Sequence, residues 1–468
     1  MNMQGINQGI KLGLEIVTPT QAGSGEELFN ELDYIQRGND LLIVDQIKSF
    51  NAVANGNQDL DKLLTSGSRL SDLVNTVGQD FGYRLAWLSG KQKTPEKFRE
   101  HVKDAMNQPY IPGSAIKGAV RTACIAEILR AMPNKSYEHL LPKKNHKGKP
   151  PASKWASSAL INELIGKDAK QDLFRVLKVN DALFNNDDLR LGDIRWLNEK
   201  RWRSMSKKRS FPEWQYADGI YVEVLQTSSL AVFSMQWDGF LLNNMDKWKQ
   251  KDSVIQVLPK GFESLRERLN SHAKYRLEHE IEFYQQQGKH QPKQECERIK
   301  ALIETERDAA FMQLSWGSGW RGMTGDWLQN EQLQSMRDLY KLGGEHRDFP
   351  KTRRLLVSGE PKYPLGWIKL VPYDLIANKF AQRKSEQQKK SNRSTWVEQQ
   401  INQIMQENRC SDKDALRGKI LANAWQTLTD EKIKAEALTD IKARWQAENW
   451  WDEPNGRSAR QAKKIYES

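Results

Sequence analysis

Apolar and polar positions alternate along Ile10–Val17, IKLGLEIV, the two-residue period of a half-buried strand. TPTQAGSGE behind it reads as a Pro/Gly loop. A second short strand is expected at Asp40–Asp45, followed by a mostly helical region to about residue 105. Ile116, Ala119, Val120, Ala123, Cys124 and Ile128 then recur at helical spacing, on a helix that starts near Ser114. Residues 141–154, LPKKNHKGKPPASK, form a basic Pro-rich loop, and 174–178 and 189–194 are strand-like around the turn NNDD. Tyr221–Leu225 and Leu230–Trp237 are rich in β-branched and aromatic residues and read as paired strands. Phe262–Glu306 is charged, glutamine-rich and helical, a hairpin broken by QQQGKHQPK, and Ala310–Trp316 restarts a strand. Beyond about residue 376 the pattern is helical, with RKSEQQKKSNRS as a linker. A capping box at Ser411–Asp414 leads into a helix carrying Leu416, Ile420, Ala424 and Leu428.

The 468 residues exceed one ordinary domain, and 16 Trp with 14 Phe supply bulky core material. The formal charge of +12 favours a polyanionic partner, nucleic acid first and an anionic membrane second. Solvated basic faces are common, so charge alone does not decide. Cys124, Cys296 and Cys410 lie far apart without a CxxC pair, which argues against a disulfide framework or thiolate metal site, and Cys124 falls on an apolar helix face. Neither a signal peptide nor a run of about 18 apolar residues is present, so a cytoplasmic protein with no membrane partner is expected.

The chemistry concentrates in Tyr110–Ala123, YIPGSAIKGAVRTA. A proline-set turn feeds a helix N-terminus, Gly113 and Gly118 leave the backbone bare, and Lys117 and Arg121 stand one turn apart, a device suited to anions. Gly113 and Gly118 have the spacing of a phosphate-binding P-loop, yet Ala119 and Val120 stand where lysine and a hydroxyl residue are required, which removes nucleotide hydrolysis. A structural turn with two solvated cations fits the same residues. Gly317, Gly319 and Gly322 spell G-x-G-x-x-G after a strand, but no compact βαβ unit surrounds them, and Trp320 and Arg321 fill the loop. That loop suits a nucleic-acid strand, with amides on phosphate, Trp320 stacking and Arg321 pairing; a tight loop with a packed Trp is the alternative.

Arg195–Arg209, RWLNEKRWRSMSKKR, interleaves Arg195, Arg201 and Arg203 with Trp196 and Trp202, the composition of a surface that holds a single strand without reading bases. Lys351, Arg353 and Arg354 add cations beside an expected strand. His272 and His279 lack a third ligand and read as a solvated helix face. Asp33, Asp40 and Asp45 suit capping and turns better than Mg²⁺. No catalytic residue, metal or cofactor is assigned.

In order along the chain, TPTQAGSGE, YIPGSAIKGAVRTA, YVEVLQTSSLAVFSMQW and GSGWRG resemble the successive signatures of the CRISPR-associated RAMP superfamily. FPKTRRLL…YPLGWIKL resembles the ending of the fifth Csm subunit family of type III-A effector complexes. The resemblance covers about residues 8 to 375. It implies an α+β fold of two ferredoxin-like (RRM-type) modules, at 1–175 and 176–376, with a helical insertion near 262–306; the helical extension 377–468 lies outside the pattern. It implies a non-catalytic RNA-binding subunit that caps the backbone filament near the crRNA 3′ end and supports 3′-end maturation. Its partners would be the crRNA, target RNA near that end, and the backbone and small helical subunits. Gly113, Ser114, Lys117, Gly118 and Arg121 would touch the guide backbone, and Gly317, Gly319, Trp320, Arg321 and Gly322 would form a second contact. Ala115 departs from the small polar residue usual there. A metal-dependent endoribonuclease of the same fold, cutting target RNA or processing crRNA, is the alternative.

Overall fold

The computed structural model describes residues 8–55, 69–77, 80–89, 93–132, 138–152, 155–168, 170–204, 206–207, 209–244, 258–314, 316–328, 330–342, 350–391, 395–408 and 410–467. They form an α+β fold in two compact units, Met1–Ile376 and Ala377–Ser468.

In the first unit, five antiparallel strands run in the order Ala310–Gln313, Trp367–Pro372, Gln8–Ile16, Leu230–Trp237, Leu177–Val179. The alternation read at Ile10–Val17 places Leu12, Leu14 and Ile16 on the buried face. A second, larger sheet follows the path Gly23–Phe29, Lys97–His101, Ile220–Leu225, Leu189–Asn198, Gly82–Trp87, Asp40–Val44, Tyr34–Arg37. The long strand Leu189–Asn198 outruns its neighbours. Its second half pairs instead with Arg201–Ser204 on one side and Thr352–Ser358 on the other.

Several expectations change. The region before residue 105 holds the strands Gly82–Trp87 and Lys97–His101 as well as helices. Ile220–Leu225 and Leu230–Trp237 do not pair with each other. Each belongs to a different sheet, and Ser228, at φ +67°, turns the chain between them. Their apolar runs reflect burial within two sheets, not mutual pairing. The loop TPTQAGSGE enters an irregular strand, Gly23–Phe29, whose register on Lys97–His101 shifts between Gly23 and Glu27. The linker RKSEQQKKSNRS is helical as far as Ser391, within Tyr373–Ser391, and residues 392–394 lie outside the described ones.

The helical hairpin is present as Phe262–Gln286 and His290–Thr305, with Gly288 at φ +64° in the break. It packs on Gly113–Ala131, where Ser271 Oγ donates to Glu127 at 3.0 Å. Ile116, Val120, Ala123, Cys124 and Ile128 of that helix are buried; each branched aliphatic there contributes about 1.5–3 kcal/mol. Burial pushes the Cys124 thiol up to about 12, the behaviour of a core residue.

In the second unit, Ser411 caps a helix by accepting the Asp414 N–H at 3.1 Å, as its sequence predicts. The single helix expected after it is two, Asp412–Arg417 and Lys419–Gln426, because Gly418 interrupts the run. The break turns Leu421 inward in place of Ile420, toward a core built on Val397, Trp425, Ile441 and Trp445.

Candidate nucleic-acid interface

Pro112 sets the entry to the helix Gly113–Ala131 with φ −58° and ψ 134°. The buried apolar face leaves Ser114, Lys117, Gly118, Arg121 and Thr122 on the opposite stripe, exposed or half-buried. The two glycines do different jobs. A Cβ on Gly113 would lie 2.2 Å from the Val179 carbonyl oxygen, so Gly113 answers to packing. A Cβ on Gly118 would meet nothing within 4 Å, so Gly118 keeps an open strip of backbone. The helix N-terminus itself is partly taken: Gly113 N–H donates to Asp181 Oδ1 at 2.7 Å. The cationic pair lies beyond that cap. Arg121 meets Asp172 at 3.5 Å, and partial burial, with the neighbouring Arg121 charge, holds the Lys117 ammonium below its usual pKa despite Asp172.

The second glycine motif docks on this stripe. Gly317 and Gly319 take φ +83° and +73° and turn the chain into a short helix, Gly319–Thr324. Gly325 ends it so close to Gly113–Ala131 that an added Cβ would lie 3.1 Å from the Thr122 carbonyl oxygen. Ser114, Gly118, Gly322 and Met323 consequently line one small cavity of about 260 Å³. Arg321 is not offered to solvent alone: its guanidinium pairs with Asp326, which is 2% exposed. Asp326 also faces His279 at 3.2 Å and Arg276 at 3.9 Å. Burial raises the Asp326 pKa, but the His279 hydrogen bond and the charges of Arg276 and Arg321 outweigh it and leave the carboxyl below its ordinary value. His279 is therefore a partner of the loop's anchor, and His272 is half-buried, its pKa pushed down to about 3 by desolvation and Arg130. Neither is the solvated residue its helix pattern suggests.

Strand alternation sorts the third group. RWLNEKRWR is a hairpin, Leu189–Asn198 against Arg201–Ser204, turning at Glu199 with φ +55°. Arg203, Trp196 and Arg354 stand side by side across three strands. Arg201 and Arg203 are exposed, and Arg354 lies 5.5 Å from the Trp316 ring, just before the glycine loop. Burial and the nearby Arg99 lower the Arg354 pKa, and the register from Arg99 through Val222 to Gly192, in step with Trp196, puts Arg99 on the same face. The opposite face turns inward. Trp202 is 4% exposed under Lys289, and Arg353 is 8% exposed, paired with Glu280 at 2.6 Å and stacked on Phe283 at 4.0 Å. Arg195 is likewise enclosed, paired with Asp193 at 2.6 Å. Lys351 stands 3.9 Å from Glu199 at the strand end.

The glycine loop joins these groups. Gly319 approaches the Thr352 carbonyl on one side, and its helix meets the Gly118 stripe on the other. Trp320 lines a cleft together with Gly118 and Arg121, and Arg354 stands beside Trp316, Trp196 and Arg203. Arg99 and Trp316 are additions: Arg99 lies in KFREH, whose alternation falls inside the segment read as helical.

The family model of the RAMP superfamily matches residues 14–302, more than half of the sequence. The chain belongs to the RAMP superfamily. Its α+β fold consists of RAMP ferredoxin-like modules plus helical parts. Among curated relatives, the CRISPR system protein Csm5 of Methanocaldococcus jannaschii is 27% identical over 416 residues, 78% of this chain and 89% of the relative. Among solved structures, a chain of a Csm–crRNA–target RNA ternary complex of a type III-A CRISPR-Cas system has a TM-score of 0.59 at 20% identity. It covers 77% of this RAMP protein and 100% of the matched chain. The crystal structure of T. onnurineus Csm5 has a TM-score of 0.52 at 19% identity, with 76% and 99% covered. These likenesses are of fold. Among the described residues, no helix is long and apolar enough to cross a membrane.

Proposed function

We propose that this RAMP protein is a non-catalytic crRNA-binding subunit of a type III, Csm-type effector complex. It caps the backbone filament near the crRNA 3′ end, supports maturation of that end, and meets target RNA and the backbone and small helical subunits in the cytoplasm. The observation that carries the reading is the packing of the glycine-loop helix Gly319–Thr324 against the helix of Lys117 and Arg121, which brings both glycine motifs together. Cations beside bare backbone suit phosphate, and Trp196, Trp316 and Trp320 offer stacking faces, the combination that holds a single strand irrespective of sequence. The relative named Csm5 and the fold shared with a chain of a Csm–crRNA complex support the assignment. Arg195, Trp202 and Arg353 serve by positioning the strands that carry their exposed neighbours.

The endoribonuclease alternative draws less support. Asp33 accepts the Phe29 N–H at 2.8 Å, and Asp45 accepts the Lys48 N–H at 3.0 Å, both as turn and cap residues. The test is co-purification of the full chain with its CRISPR neighbours. We expect crRNA and other Csm-type subunits in the purified assembly, and a Lys117→Glu/Arg121→Glu chain that keeps its circular dichroism but holds less or shorter guide. Unchanged RNA content in that variant would overturn the site.

A further inference from the structure

A cleft of about 970 Å³ opens beside the cationic stripe, bounded by Gly113–Ala131, the glycine-loop helix Gly319–Thr324, the helix Asn330–Tyr340 and the Pro-rich segment around Pro142 and Pro151. Its walls are mainly apolar, with Ile125, Leu160, Trp327 and Met336 among them, and Trp320 supplies an aromatic face. Gly118 and Arg121 belong at once to this cleft and to the phosphate-facing stripe. Two lining residues carry buried polar atoms without a hydrogen-bond partner, Arg121 Nε and Tyr340 Oη.

We infer that the cleft captures one nucleobase turned out of the single-stranded RNA, an inference that rests on the RNA-binding reading above. Apolar walls with an aromatic face and a few polar groups suit a flat heterocycle. The volume exceeds a single base, which leaves room for its sugar. The rim cations and the bare Gly118 backbone stand where the attached phosphates would run. An apolar peptide segment is the competing occupant, and its backbone carbonyls can meet Arg121 and Tyr340 as the edge of a base can, but it brings no anion for the cations beside the exposed Gly118, as an RNA strand does. Unstacked bases held on aromatic side chains are the usual currency of single-stranded RNA recognition.

The test uses the full chain and a single-stranded RNA carrying 2-aminopurine at one position at a time. We expect strong quenching at a defined position on binding. Ala156→Trp, which narrows the cleft, should reduce that quenching and weaken binding about tenfold, with the salt dependence unchanged. Tyr340→Phe, which preserves the cleft, should weaken it about threefold and guards against misfolding of the first variant. RNA bound tightly with no position quenched would overturn the pocket while leaving the phosphate surface standing. No RNA binding by the unaltered chain would overturn both. In the assembled complex, crosslinking of a protein segment instead of RNA to the cleft walls would also overturn the pocket.

Discussion

Asp326→Asn separates the anchoring of the glycine loop from its contact with RNA. Asp326 sits at φ +54°, a left-handed conformation that asparagine also accepts, so the substitution removes charge and little else. The carboxylate is 2% exposed and compensates Arg276, also buried, together with Arg321. Arg276 retains Gln313 at 2.8 Å and the neighbouring Glu280, so the loss belongs at the lower end for a broken buried pair, about 3 kcal/mol. Unfolding the unit Met1–Ile376 near 60 °C carries an entropy of roughly 0.8 kcal/mol/K, so Tm should fall by about 4 °C. The assay is a circular-dichroism melt of both chains across pH. The folded carboxyl has a depressed pKa, so its stabilisation is fully present above the ordinary 3.8 and fades as pH falls through the folded value. The two melting curves should differ at neutral pH, begin to approach each other only as pH falls below 3.8, and meet below the depressed folded value. A Tm within about 1 °C of the unaltered protein at neutral pH would refute the claim that this network holds the loop.

Glycine substitutions should split in the same way. Gly113→Ala forces a methyl into the Val179 carbonyl and should destabilise by at least about 1–3 kcal/mol, whereas Gly118→Ala should stabilise by about 0.5–1 kcal/mol and still weaken RNA binding; denaturant titration and anisotropy read the two effects. Arg353→Met removes one member of a buried pair with Glu280 and should cost about 3–5 kcal/mol, while Arg354→Gln should leave urea unfolding nearly unchanged and lower RNA affinity. Because Lys117 titrates below an ordinary lysine, RNA binding should begin to weaken before pH reaches the ordinary lysine value of 10.5, and Lys117→Arg should flatten that profile.

The helix carrying Lys117 and Arg121 was legible because one run of residues holds both its apolar period and its cations. The buried positions Ile116, Val120, Ala123, Cys124 and Ile128 follow that period. What escaped depends on partners distant in sequence. Nothing near Gly113 announces Asp181, and nothing near Arg353 announces Glu280 from the helical insertion. Arg321 finds its partner only five residues on, but burial of Asp326 comes from Arg276 and the surrounding helices. The cation-rich RWLNEKRWR did carry a usable signal. Its two-residue alternation about the turn at Glu199 separates Trp196, Arg201 and Arg203 from Leu197 and Trp202, a distinction that composition alone obscures.

The central claim is that Lys117 and Arg121 belong to one continuous RNA-phosphate surface with Arg354, Arg203 and Arg201. The most direct measurement is the slope of log K against log salt for a single-stranded RNA bound by the full chain. Five phosphate contacts give a slope near −3.5, and Lys117→Gln/Arg121→Gln should make it shallower by about 1.4. An identical slope in the two proteins would mean that the Lys117–Arg121 stripe does not touch the RNA backbone.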